Sequence, residues 1–110
     1  MAKRFIDTSI FRNDFTRSLE APYKLLWLYL INECDHAGLW DVELEVAEIR
    51  LGVKFKANPV ESFGGKVVAV DGGKKWFIPS FVNFQYGELK ADNRVHGSVI
   101  SLLKKFDLRL

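Results

Sequence analysis

The longest uninterrupted apolar run in the chain is Leu25–Ile31, LLWLYLI. A surface helix carries an apolar stripe and a polar face, but no polar position appears here until Asn32. The run therefore predicts a helix at the centre of a small core, with other elements packed on all its sides. It is too short for a bilayer span, which needs ~20 apolar residues. Pro22 suits the first helical turn, where its missing N–H would be unpaired anyway. The helix is expected from about Ala21 to Glu33 or Cys34. A polar turn ending at Gly38 follows, and Leu39–Val42 reads as a short strand.

Elsewhere the pattern is less uniform. Residues 1–19 read as an arm lying on the domain, with Asp7-Thr8 capping a short helix that buries Ile10 and Phe11. Phe15 and Leu19 follow among polar residues. Residues 42–51 predict an amphipathic helix with Val42, Val46, Ile49 and Leu51 inward and Glu43, Glu45, Glu48 and Arg50 outward. Asp41 is its expected N-cap, and Gly52 follows its end. Asn58-Pro59 should cap and open a second short helix with Val60 and Phe63 inside, stopped by Gly64-Gly65.

The clearest local signal is VVAV and KWFI on either side of Asp71-Gly72-Gly73. The β-rich runs predict a hairpin, and the glycines accept the positive φ of a tight turn. Its register is open, but Lys74 and Lys75 fall at or beside the tip. After Pro79, Ser80 caps a single helical turn carrying Phe81, Phe84 and Gln85, unless the segment is extended. The final helix is expected from Asn93 to Phe106, with Val95, Val99, Ile100, Leu102, Leu103 and Phe106 on one face.

This order predicts an α+β fold: a winged helix-turn-helix with helices packed on a small antiparallel β-hairpin sheet, as one domain over residues 1–110. The two short helices form the helix-turn-helix, joined by a tight turn, and the hairpin is the wing. Composition adds little to that picture. At 110 residues and 48% hydrophobic the chain can build a core without staples. The lone Cys34 cannot form an internal disulfide. Met1–Arg4 leads into mixed polar sequence rather than an apolar signal segment, so a cytoplasmic location and no membrane partner are expected. The formal net charge of +2 permits a nucleic-acid partner without demanding one.

Two long stretches, YKLLWLYLINECDHAGLWDVELEVAEIRLG and KKWFIPSFVNFQYGELKADNRVHGSVISLLKKF, resemble the N-terminal winged-helix domain of phage-type replication proteins, the replisome organisers and DnaD-like loaders. The resemblance covers about residues 3–107. Its most specific parts are CDHAGLW, FVNFQYG and NRVHGSVI. It implies duplex DNA as partner and a role in replication initiation, with replication proteins or self-association as further partners. Members are usually longer, with a second part that contacts other replication proteins, and residues 1–110 are expected to correspond to the first part alone.

In a helix-turn-helix the second helix presents its N-terminal side chains to base edges. That makes Lys54, Lys56, Asn58, Ser62 and Lys66 candidate DNA contacts, with Glu61 among them. Asn can pair with adenine, and Lys with guanine or phosphate. Lys74 and Lys75 on the wing would meet phosphates, although edge lysines also discourage strand-to-strand aggregation. Trp76 is expected in the core. Cys34, Asp35, His36 and His96 are metal-ligand types, but their spacing matches no metal site; Asp35 and His36 are expected to satisfy backbone groups in the turn. The acidic residues Glu43, Glu45 and Glu48 should repel DNA from their face. No catalytic motif and no cofactor loop is present, so neither an enzyme nor a cofactor is expected. Two other readings compete: an assembly module using Phe81, Phe84 and Tyr86, and a transcriptional regulator with the same fold.

Overall fold

A computed structural model describes residues 3–110. Met1 and Ala2, the start of the expected arm, lie outside the described residues. The α-helices are α1 (Asp14–Ser18), α2 (Ala21–Glu33), α3 (Leu44–Leu51), α4 (Phe81–Tyr86) and α5 (Arg94–Lys105). The strands are β1 (Leu39–Asp41), β2 (Val68–Val70) and β3 (Lys75–Phe77). A 3-10 segment spans Pro59–Lys66 and another forms the hairpin tip, Asp71–Gly73. The fold is α+β, with helices around a three-stranded antiparallel sheet of order β1-β3-β2.

The central helix forms where the apolar run predicts it. Pro22 lies in its first turn, and Tyr23, Leu26, Trp27, Tyr29 and Leu30 are buried. Leu25 does reach the surface at 39% exposure, so the helix is covered on most sides rather than all. At its end Asp35 performs the expected backbone role. One carboxylate oxygen, Oδ1, accepts from the N–H groups of Ala37 (2.9 Å) and Leu39 (3.0 Å). Gly38 closes the turn at φ +85°, and a Cβ there would stand 3.0 Å from the Ile78 carbonyl oxygen and 3.0 Å from Phe81 Cβ. Only glycine meets both demands.

The hairpin also forms, and the sheet fixes its register: Trp40 pairs with Trp76 and Ala69 with Trp76 across β3. Trp76 is buried and its ring lies 5.2 Å from that of Trp40. The last helix is capped by Asn93, whose side chain accepts from the N–H groups of Val95 and His96. Val99 and Leu103 point into the core, but Val95 is 51% exposed.

Three local expectations need correction. Thr8–Arg12 forms turns rather than a helix; Ile10 is buried but Phe11 is exposed. The following helix, α1, is capped by Asn13. Of the residues expected inward around α3, Val42, Val46 and Leu51 are partly buried, but Ile49 is not. Ala47 is fully buried with Leu44, Glu48 and Leu51 partly buried beside it, while Ile49 is 80% exposed. Glu43 holds the N-cap position without a side-chain hydrogen bond, because Asp41 belongs to β1. Finally, Gly52–Asn58 intervenes between α3 and the next helical segment, longer than a tight turn of about three to four residues. That segment is a 3-10 helix broken at Gly64 (φ 56°, ψ −136°), and Asn58 precedes it at φ 54° with no side-chain cap.

Candidate nucleic-acid interface

The segment Gly52–Lys66 is held to the core by few anchors. Phe63 is buried, its ring 6.0 Å from Trp27 and 6.5 Å from Phe15. Phe55 stacks obliquely on Tyr23 at 5.9 Å. Two hydrogen bonds fix the loop backbone: Phe55 N–H donates to Glu48 Oε2 (2.7 Å), and Lys56 N–H donates to the Tyr23 hydroxyl (3.0 Å). Glu48 is thus not part of a free acidic face. It is turned partly inward, and its role was hidden in the sequence because its partner is a backbone group.

The candidate residues do not form one continuous face. Lys56, Asn58 and Ser62 gather around a shallow depression of about 380 Å³, which Glu20, Tyr23 and Glu61 also line. Lys54 lies on the loop before it. Lys66 lines a different, apolar groove beside Phe15. Lys74 follows the hairpin tip, exposed, while Lys75 is a partly buried strand residue. Glu20 is the member that sequence reasoning missed, since it precedes α2 and only the fold brings it to Lys56.

The charges are also unequal. Lys54 stands 3.8 Å from Glu48 and Lys56 stands 3.5 Å from Glu20. Lys75 is ion-paired with Asp41, its cross-strand neighbour. The hydrogen bond that the Lys75 ammonium donates to Asp41 holds it above the usual lysine range, and the ring of Phe106 lies 5.4 Å from that ammonium. Lys75 is therefore a structural cation of the sheet. Lys66 and Lys74 have no ion-pair partner among the described residues.

The other candidate chemistry is occupied with structure. Burial pushes the Cys34 thiol up to about 12, against the pull of the Arg4 guanidinium. His36 Nε2 is hydrogen-bonded to the Ser98 hydroxyl at 2.8 Å, rather than to the turn backbone as expected. His96 Nδ1 accepts from Lys90 N–H at 3.0 Å. Among the described residues no three His, Cys, Asp or Glu side chains gather as a metal-ligand group, and no helix is long and apolar enough to cross a membrane.

No protein-family model, curated protein or solved structure matches the chain.

Proposed function

We propose that the chain is a winged-helix domain that binds duplex DNA, in the manner of the N-terminal domain of a phage- or prophage-derived replication initiation protein. The observation that carries this reading is the arrangement of elements. A long central helix, a strand, two short helical segments and a hairpin follow in order, and the first strand pairs with the second hairpin strand to give β1-β3-β2. That order supports the reading as a helix-turn-helix with a wing, in which the connection would be long and the short 3-10 segment would stand in the second-helix position.

In this reading Asn58 and Ser62 face base edges, while Lys66 and Lys74 meet phosphates. Lys54 and Lys56 contribute less, because each already has a carboxylate beside it. Glu20 and Glu61 would repel phosphates, so binding is weak and salt-sensitive. Lys75 drops out of the contact set, because Asp41 holds it.

The test is a titration against duplex DNA at several salt concentrations. Lys74→Ala should weaken binding and lower the salt slope by ~0.9, the share of one released phosphate contact. Asn58→Ala should weaken binding and leave the slope unchanged. Wild-type affinity in both variants would remove the wing and the 3-10 segment from the footprint.

Of the three aromatics named for the assembly reading, Phe84 is open at 50% exposure, Tyr86 is half-buried and Phe81 is buried.

A further inference from the structure

An apolar groove of about 380 Å³ lies between the N-terminal arm, α2 and α4. Ile10, Trp27, Ile78 and Phe81 form its buried walls. Phe5, Ile6 and Phe84 also line it, yet they are 70%, 50% and 50% exposed. The same patch thus carries both a hollow and projecting apolar side chains. The arm is fixed in place rather than loose. Arg4 donates to the carbonyls of Ile31 and Asn32 at the end of α2, both at 2.8 Å. The Gln85 side chain exchanges two hydrogen bonds with the Phe5 backbone, at 2.9 and 2.8 Å.

The lining contains one acid and one base, Asp7 and Lys66. Asp7 uses only Oδ1, which accepts from the N–H and hydroxyl of Ser9, so its other oxygen has no hydrogen-bond partner among the described residues. These Ser9 bonds hold the carboxyl below its usual range, so it stays ionised. Lys66 has no carboxylate partner; its ammonium lies 5.9 Å from the centre of the Phe15 ring. The two charges do not pair with each other within the chain.

We propose that the occupant of this groove is a second copy of the chain, docked about a two-fold axis so that Lys66 of each copy faces Asp7 of the other and the exposed Phe5 and Phe84 enter the partner's groove. A two-fold contact requires a patch that complements itself, with each residue pair occurring twice. This patch has the two properties needed: hollow and projection together, and one unpaired charge of each sign. The proposal does not rest on DNA binding, and the two readings share only Lys66, which cannot meet a phosphate and the partner's Asp7 at once.

Sedimentation equilibrium over a concentration series tests it. Wild type should reach twice the chain mass as concentration rises. Lys66→Asp alone should remain monomeric, because it sets two acids against two acids, and Asp7→Lys alone should remain monomeric for the mirrored reason. An equimolar mixture of these two variants should associate, because every facing pair is then opposite in charge. Phe84→Glu, at a half-exposed position that folding tolerates, should abolish the wild-type dimer. A monomeric wild type, single variants that dimerise as wild type does, a mixture that stays monomeric, or a dimer that survives Phe84→Glu would each overturn the proposal.

Discussion

Between α2 and β1 the chain reverses within Cys34–Gly38, and the groups there are fixed more than once. Asp35 satisfies two backbone N–H groups, Gly38 fills a space closed by Ile78 and Phe81, and Leu30, Cys34, Ala37 and Leu39 are buried around them. Between α3 and β2 the chain takes Gly52–Val67 to make a comparable transition, and its anchors are spaced further apart. Pro59, Phe63 and Val67 supply the burial, Glu48 and Tyr23 each hold one backbone N–H, and Gly64 turns in open space. The first region sets the shape of the core. In the second, Asn58 and Ser62 stay at the surface, while Lys54 and Lys56 stand beside Glu48 and Glu20. Regions with few buried contacts open at lower cost than the core, so Gly52–Asn58, whose side chains are exposed or half-buried, should open before the first turn does.

The largest expected effect lies in the first region. Leu30 is fully buried on α2, and Leu30→Ala should cost about 2–5 kcal/mol in lost burial and residual cavity. Urea denaturation would show the loss as a shifted midpoint with an unchanged slope. A loss well under 1 kcal/mol would mean that the central helix is not the shared support of the fold.

A smaller effect separates the two turns directly. Gly38 and Gly64 both have positive φ, at 85° and 56°. An L-residue in such a conformation costs about 1–3 kcal/mol where the surroundings enforce it. Gly38→Ala adds a collision with Ile78 and Phe81, whereas the Cβ of Gly64→Ala would meet nothing within 4 Å. Gly38→Ala should therefore be the more destabilising of the two in the same denaturation experiment. Equal losses would show that backbone strain alone matters and that the close approach relaxes freely.

The same contrast explains what could be read from the chain. LLWLYLI and the VVAV-DGG-KKWFI pattern announce a central helix and a hairpin because each signal is local and repeated over several residues. Asp35 was legible as a turn residue for a similar reason: its partners lie two and four positions away. The phase of α3 was not legible. It spans two turns with apolar residues on several sides, and burial chose Ala47 over Ile49 and turned Glu48 partly inward. Lys75 looked like a wing-tip cation until register placed it opposite Asp41. Asn58 resembled a helix cap, yet its backbone sits in the left-handed region, which Asn tolerates better than most residues. In each case the deciding contact was a partner distant in sequence or a backbone group, neither of which leaves a pattern in side-chain identity.

The finest test of the loosely held segment is the anchor at Glu48. Its carboxylate accepts from Phe55 N–H at 2.7 Å and lies 3.8 Å from the Lys54 ammonium. These two contacts differ in kind. The first satisfies a partly buried backbone donor, and losing such a bond leaves a penalty of about 1–3 kcal/mol. The second involves a lysine side chain 89% exposed to solvent, and exposed ion pairs of that sort contribute about 0–1 kcal/mol. Glu48→Ala should therefore destabilise the fold by about 1–2 kcal/mol and speed hydrogen exchange at Phe55 and Lys56, while exchange at Ala37 and Leu39 stays slow. Lys54→Ala should change neither stability nor exchange measurably. If Lys54→Ala matched Glu48→Ala, the loop would be held by charge rather than by its backbone hydrogen bond, and raising the salt concentration should then loosen it as much as either substitution does.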